Sequence, residues 1–282
     1  MPHRRHAAAP IGAALLGLVS VQTGAAIGKS LFPLVGSEGV AALRLGFSAL
    51  LLGLALRPWT IWGTARWRDL LAYGVTMGLM NLLIYRAFAT LPVSIAVAIE
   101  VLGPLGAALL ASRRPIDAVW VALSLAGLAM LPLGALHDGL HRGLDPLGVA
   151  FALGAAVCWG IYIFAGARVA PYGNQAVASG MLIAALFIVP LGAAQAGSLL
   201  LNPAVLVAGL GIAVLSSMLP YLLDMFAMRY LSANVFGILL SASPAVSAIA
   251  GWLILGETLS TLQCAGTAAI MLACAGSTWT RH

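Results

Sequence analysis

Long apolar runs follow one another along almost the whole chain, separated by short stretches rich in proline, glycine and charge. Each run holds about 20 residues, the length that an α-helix needs to cross the hydrocarbon core of a bilayer. Proline, glycine and charged clusters mark where one run ends and the next begins. The pattern predicts ten spanning helices, over Ile11–Leu31, Glu38–Leu56, Leu70–Thr90, Val93–Ser112, Ile116–Leu136, Pro146–Ala167, Gln175–Ala194, Ala204–Met228, Ala233–Leu255 and Ser260–Trp279.

Composition indicates the same fold class. The chain is 62% hydrophobic and 8% charged, whereas an ordinary soluble domain is about 25% charged. An aqueous fold of 282 residues cannot hide that much apolar surface. Ten helices with short connections use nearly the full length and leave no room for a soluble catalytic domain. We therefore expect an all-α integral membrane protein.

The positive charges predict how the helices are oriented. The net charge of +6 is compatible with a nucleic-acid partner, but most arginines lie beside predicted helix ends, so we expect a lipid bilayer and no nucleic acid. With a cytoplasmic N-terminus, 10 of the 14 Lys and Arg residues fall on the cytoplasmic side, as the positive-inside rule requires. We expect a multi-pass protein of the cell inner membrane with both termini cytoplasmic. The ten residues are Arg4, Arg5, Arg57, Arg66, Arg68, Arg113, Arg114, Arg168, Arg229 and Arg281.

The N-terminal run has a second interpretation. Arg4 and Arg5 precede an apolar segment that contains Gly24, Ala25 and Ala26, which also fits a cleavable signal peptide. Its removal would place the remaining arginine-rich loops outside the cell, so the charge distribution favours an uncleaved first helix.

The two halves of the chain repeat each other at an offset of about 140 residues. Pro104 and Pro244 lie at matching places in segments 102–108 and 242–248, and Asp117 matches Glu257. We expect two five-helix repeats, at residues 1–140 and 141–282. Because five is odd, the second repeat must cross the membrane upside down. Inverted repeats place a substrate site near the bilayer midplane and allow two rocked states, which indicates a transporter.

Short motifs along essentially the whole chain add a family resemblance. The sequence resembles the drug/metabolite transporter superfamily, in its ten-helix EamA-type branch, and is most similar there to the RhtA-type threonine/homoserine exporters, with the YddG-type aromatic amino-acid exporters as further relatives. The resemblance implies export of amino acids through a central cavity walled mainly by predicted helices 3, 4, 8 and 9. The motifs are Lys29–Gly36, Ala42–Leu45, Met80-Asn81 with Tyr85, Ile95–Glu100, Gly103–Leu105, Ser112–Pro115, Cys158–Tyr162, Pro220–Leu222 and Leu255–Leu259.

Two buried charges are the strongest candidates for substrate contact, since ionisable groups inside a membrane are costly. Arg44 and Glu100 lie at about equal predicted depth, just outside the midplane. They can bind the carboxylate and the ammonium of an amino acid. Alternatively, they pair with each other or with backbone carbonyls and hold predicted helices 2 and 4 together.

Uncharged polar residues near the midplane complete the predicted site. Asn81 and Tyr85 share a helix face at a spacing of four. Trp159 and Tyr162 are three residues apart on one face of predicted helix 6, where they either line the cavity or pack between helices. Pro104 and Pro244 are expected to kink their helices and border the cavity, and a kink that only shapes the bundle is the alternative. The predicted substrate-binding set is Gln22, Arg44, Asn81, Tyr85, Glu100, Trp159, Tyr162, Ser217, Tyr221 and Ser243.

Several residues near these candidates have other predicted roles. We expect Lys29 to anchor a helix at the outer interface. Arg86 is close enough to that interface to extend towards water instead of contacting substrate. Asp224 lies near the predicted cytoplasmic end of its helix, where we expect a solvated gate or helix-end role and not substrate binding.

Nothing in the sequence indicates catalysis, a metal or a cofactor. Cys158, Cys264 and Cys274 lie in apolar runs without metal-ligand spacing and are expected to pack between helices. The histidines lie at the termini or in a loop, and no phosphate-binding glycine loop is present, which argues against an ATP-driven pump. The alternatives to amino-acid export are efflux of organic cations or other small metabolites, and a membrane assembly subunit or membrane-embedded enzyme. Oligomeric state and energy coupling stay open.

Overall fold

A computed structural model describes residues 4–110, 116–137, 144–228, 230–231 and 239–279, and in these ranges the secondary structure is helical, without strands. We number the α-helices in chain order: α1 Arg4–Ser30, α2 Phe32–Leu56, α3 Trp67–Phe88, α4 Val93–Glu100, α5 Leu102–Leu110, α6 Asp117–His137, α7 Pro146–Val169, α8 Asn174–Ala196, α9 Pro203–Ala213, α10 Leu219–Met228, α11 Ser243–Ala250 and α12 Thr261–Trp279.

Ten apolar helical segments occur in the described part of the chain, as the hydrophobic pattern predicts. Six are long and apolar enough to cross a membrane, and four shorter ones have 10–17 residues. The short segments are Val93–Ala107, Ala118–Leu131, Ser243–Leu255 and Thr261–Ser277. The predicted all-helical membrane class is therefore confirmed. The start of the predicted helix Ala233–Leu255, at residues 233–238, lies outside the described residues.

Three predicted helices are less regular than expected. The helix predicted over Val93–Ser112 is interrupted at Val101 between α4 and α5. A π-helical turn, Val214–Met218, joins α9 to α10, and a second one, Gly251–Leu255, follows α11. Proline accounts for part of this irregularity, because Pro104 and Pro244 cannot donate a backbone N–H to the carbonyl four residues earlier. For Pro244 that carbonyl belongs to Leu240, and the Ser243 hydroxyl donates to it at 2.6 Å.

The first five spanning segments correspond in order to the last five. Replacing every segment by its counterpart in the other half leaves the set of packed helix pairs unchanged. α2 packs on α8, α6 on α12, and α4 on α11, so each of these pairs maps onto itself. The packing of α3 on α7 corresponds to that of α10 on α1, and α3 on α8 corresponds to α9 on α2. Two equivalent five-helix halves would pack in this way. The repeat boundary near residue 140 and the inversion of the second half remain predictions.

The bundle has two ends, named here by the side that the charge distribution predicts. The predicted external end carries residue 31 and the connections 89–92, 197–202 and 256–260. The predicted cytoplasmic end carries the connections 57–66 and 170–173.

Hydrogen bonds tie several helices together at the predicted external end. Asp145 caps the N-terminus of α7, accepting from the backbone N–H groups of Leu147 and Gly148. Hydrogen bonds from the Thr90 hydroxyl and the Gly148 N–H hold the pKa of Asp145 below its ordinary value. Gly36, at φ 71°, kinks α2, and the side chain of Gln195 accepts the N–H of Glu38 just after the kink.

Candidate substrate-binding site

Arg44 is held rigidly near the middle of α2. Its side chain is buried and reaches the irregular turn between α9 and α10. Nε donates to the Ser217 hydroxyl at 3.1 Å, and Nη2 donates to the Ser216 carbonyl at 2.8 Å. Two charge-assisted hydrogen bonds fix the plane of the guanidinium, and its other N–H donors bond none of the residues that the structure describes.

The carbonyl that binds Arg44 is available because of a proline. In a regular helix the Ser216 carbonyl would accept the N–H of residue 220, but that residue is Pro220 and has no N–H. The π-helical turn loosens the same segment, and such turns are frequent at functional sites. Nearby, Ser20 of α1 donates to the Leu215 carbonyl at 2.6 Å. Backbone acceptors in the bilayer interior are thus satisfied by side chains of neighbouring helices.

Tyr85 lies against Arg44 on the side of the predicted external end. The arginine Cζ is 5.5 Å from the tyrosine ring centroid, a cation–π distance. Tyr85 is fully buried, and its hydroxyl has no hydrogen-bond partner among the described residues. That hydroxyl faces Gly28 of α1, where an added Cβ would come within 3.2 Å of it.

Glu100 is the last residue of α4 and is buried. It interacts electrostatically with Arg44, yet the ion pairs within 4.0 Å in the described part of the chain do not include this pair. The direct Arg44–Glu100 pairing that the sequence left open is therefore not observed. The sequence also allowed Arg44 to bind a backbone carbonyl and so hold predicted helices 2 and 4 together. Arg44 does bind a carbonyl, but it is that of Ser216 and does not belong to α4.

Three tyrosines form a layer between this site and the predicted cytoplasmic end. The rings of Tyr73 and Tyr162 stack with centroids 4.8 Å apart, and their hydroxyls are 2.8 Å apart. Tyr162 also interacts electrostatically with Tyr221 of α10. Asp224 interacts electrostatically with Tyr162 and Tyr221. The layer joins α3, α7 and α10, and Tyr73 is the member that the sequence did not predict.

The other predicted site residues are less directly connected to Arg44. The Asn81 side chain is buried and donates to the Met77 carbonyl at 2.8 Å. Gln22 is buried in α1, while Trp159 is half-buried and packs on the apolar core. Ser243 is the first residue of α11, and its hydroxyl donates to the Leu240 carbonyl. Within the described ranges, no hydrogen bond or ion pair joins these four residues to Arg44, Tyr85 or Glu100, and their role in binding remains a prediction.

Two ionic contacts at the predicted external end were not foreseen as pairs. Lys29 donates to Glu257 at 2.7 Å and to the Leu91 carbonyl at 2.6 Å, so it binds other segments instead of only anchoring its own helix. Arg86 pairs with Glu38 and lies over the Phe151 ring. The four charged residues lie near predicted helix ends in the sequence. Their pairing cannot be predicted from it, because the partners are up to 228 residues apart.

Comparisons with known proteins agree with this architecture. Residues 146–279 match the EamA-like transporter family. The chain is 48% identical over 274 residues to the threonine/homoserine exporter RhtA of Escherichia coli K12, covering 96% of this chain and 92% of the relative. It is 47% identical, with the same coverage, to the exporter of that name from Salmonella typhimurium LT2.

A structural comparison supports the fold alone. One crystal structure aligns with a TM-score of 0.60 at 22% sequence identity, covering 95% of this chain and 96% of the other. Together with the long identity to its relatives, the helical bundle marks the molecule as a multi-pass membrane transporter and not an enzyme. The protein thus belongs to the EamA-like transporter family.

Proposed function

We propose that this protein exports small neutral amino acids, with threonine and homoserine as the leading substrates, from the cytoplasm across the inner membrane by alternating access. The relatives that carry threonine/homoserine exporter names support this substrate class. Both termini are cytoplasmic in this proposal, as the arginine distribution favours.

The observation that carries the proposal is a pair of opposite buried charges that do not bond each other. Arg44 on α2 is fixed by α9–α10, while Glu100 on α4 has no described hydrogen bond or ion pair. A zwitterion placed between them satisfies both groups, with its carboxylate on the remaining guanidinium N–H donors and its ammonium on Glu100. Without a ligand, an unsatisfied charge in a bilayer is costly, so the arrangement favours binding.

The residues around these charges favour a small side chain. Ser216 and Ser217 are small and fully buried beside Arg44. Tyr85 and Tyr221 are larger and border the same region from α3 and α10. We expect Gln22, Asn81, Trp159, Tyr162 and Ser243 to line the remainder of the path.

Flux of labelled threonine from proteoliposomes tests the proposal. Glu100→Gln keeps the shape of the side chain and removes its charge, so we expect export to fall about 10- to 100-fold, the range of one charge-assisted hydrogen bond. The matched control is Asp145→Asn, which makes the same chemical change at a helix cap where an amide also caps. We expect the control to transport normally.

Two outcomes would contradict the assignment. Full threonine flux through folded Glu100→Gln would reject the ammonium contact. Export of organic cations without amino-acid flux in the unmodified protein would reject the proposed substrate class. Measuring flux with and without an imposed pH gradient would also separate proton-coupled from facilitated transport.

A further inference from the structure

The Lys29–Glu257 ion pair joins segments that are far apart in sequence at the predicted external end. The Lys29 ammonium lies 2.7 Å from Glu257 Oε1 and 2.6 Å from the Leu91 carbonyl. Only 20% and 14% of the two side chains are exposed. The contact joins the end of α1 to the connection between α3 and α4 and to the connection that follows the π-helical turn after α11.

The second carboxylate oxygen of Glu257 is bound as well. Oε2 accepts the backbone N–H of Val93 at 2.8 Å. Val93 is the first residue of α4, and Pro92 before it provides no side-chain cap. A carboxylate at a helix N-terminus is stabilised by the unpaired N–H groups and the helix dipole. Glu257 therefore acts as the cap of a helix from the other half of the molecule.

The Lys29–Glu257 ion pair holds two elements, α1 and α4, that also border the candidate site. Glu100 lies on α4 seven residues beyond Val93, about 10 Å along the helix. On the other side, Gly28 precedes Lys29 and packs against the Tyr85 hydroxyl. Release of Lys29 and Glu257 would free both α1 beside Tyr85 and the first turn of α4 above Glu100.

The sequence repeat supplies a counterpart at the opposite end. Asp117 matches Glu257 at an offset of 140, and Arg168 matches Lys29 at an offset of 139. Asp117 begins α6 and Arg168 lies in the last turn of α7, both at the predicted cytoplasmic end. In this structure the Arg168 side chain is 70% exposed and lies 3.9 Å from Asp69. The external pair is formed here, while Arg168 remains largely in solvent.

We propose that Lys29 and Glu257 form an external latch that closes the export path, and that Arg168 and Asp117 form the corresponding cytoplasmic latch in the opposite state. The inference rests on the proposed orientation and alternating access. Each latch stabilises one state, so its removal shifts the balance towards the other. Lys29 and Glu257 are positioning residues for the site, since neither contacts the Arg44–Glu100 region directly.

Thiol labelling tests the proposal without requiring substrate. The reporter is Ser217→Cys, beside Arg44, in a background with Cys158, Cys264 and Cys274 replaced by alanine. A membrane-impermeant thiol reagent is added outside intact cells. We expect Lys29→Met and Glu257→Gln each to raise the labelling rate about fivefold to tenfold, the shift expected from losing about 1 to 1.4 kcal/mol in one state. Lys29→Arg, which keeps the charge, should label close to the reporter background.

The cytoplasmic pair provides a control of opposite sign. Arg168→Met and Asp117→Asn should lower labelling from outside, because they destabilise the outward-open state. Each variant is first confirmed to be folded by its elution as a single species in detergent. Unchanged labelling in both folded Lys29→Met and folded Glu257→Gln would overturn the external latch. A rise in outside labelling with Arg168→Met would overturn the symmetry relation.

Labelling and transport also separate the two proposals. If labelling changes as expected but no amino acid is transported, the latch stands and the proposed substrate is wrong. If threonine export is present and the latch variants leave labelling unchanged, the proposed function stands and the latch is wrong.

Discussion

At the scale of single residues, the candidate site contains a guanidinium whose direction is fixed without a ligand. Arg44 uses Nε and Nη2 for Ser217 and the Ser216 carbonyl. Holding it in place reduces the ordering that substrate binding would otherwise require. A lysine has one charged group and cannot reproduce this planar two-point contact.

Arg44→Lys should therefore impair export although it keeps the charge. We expect kcat/KM to fall about 10- to 100-fold, the equivalent of one lost charge-assisted hydrogen bond. The measurement is threonine flux as a function of concentration. The control is Arg68→Lys, at an exposed position of the predicted cytoplasmic end, which should be near normal. Equal activity of the two variants would exclude a role for the Arg44 geometry.

A size test addresses the predicted cavity itself. Asn81 is buried on α3, and Asn81→Trp should fill the predicted central path and abolish export in a folded protein. Ser198→Trp places the same side chain on an exposed position of the predicted external end and should be tolerated. Threonine flux and detergent elution profiles of both variants provide the readout. Normal transport by Asn81→Trp would move the path away from α3, for instance to a lateral groove reached from the lipid.

At the scale of helices, the close approach of α5 and α7 leaves no room for a side chain at Gly103. A Cβ at this position would lie 2.1 Å from the Ala156 carbonyl, which is backbone and cannot turn aside. Three residues further on, a Cβ at Gly106 meets nothing within 4 Å. The two glycines of one helix are thus under different constraints.

Gly103→Ala should lower the midpoint of thermal unfolding in detergent, because α5 and α7 must separate. Overpacking of this kind costs about 1–3 kcal/mol. Gly106→Ala should leave the midpoint unchanged or raise it, since alanine favours helix by about 0.5–1 kcal/mol. Equal midpoints for the two variants would show that the helices do not pack as closely as described.

The sequence predicted helices better than it predicted their interruptions or their partners. Apolar runs are long and local, so their positions can be read directly, and α3 and α7 were placed within a few residues. Pro220 indicates in advance that the Ser216 carbonyl lacks its usual donor. That Arg44 would supply the replacement cannot be read, because the two residues are 172 positions apart. A separation of 228 residues likewise concealed the Lys29–Glu257 contact, although both residues belong to recognised motifs.

At the scale of the whole molecule, the proposed alternating access requires the two halves to rock about a common site. Helix contacts in one half have counterparts in the other, as two states of similar energy would need in that mechanism. Each end then needs contacts that form in one state and break in the other. In this structure the predicted external end carries the ion pairs Lys29–Glu257 and Arg86–Glu38, and the first of them is the proposed latch.

Reporter fusions test the topology on which this view depends. Fusions at the C-terminus and between Arg113 and Arg114 should both report a cytoplasmic location, because the positive-inside rule places these segments there. A fusion in the 197–202 connection should report an external location and serves as the control. An external signal at either of the first two sites would refute the ten-helix topology with a cytoplasmic N-terminus.

The separation of Arg44 and Glu100 onto different helices also has a stereochemical consequence. An amino acid whose carboxylate and ammonium are each fixed by a different helix has only one axis left about which its α-carbon can be placed. When the surrounding helices also confine the α-carbon to one side of that axis, the side chain points either towards Tyr85 and Tyr221 or away from them, depending on handedness. In the proposed binding mode, contact of the side chain with these tyrosines is the third point that would distinguish L-threonine from D-threonine, although neither charged contact senses handedness by itself.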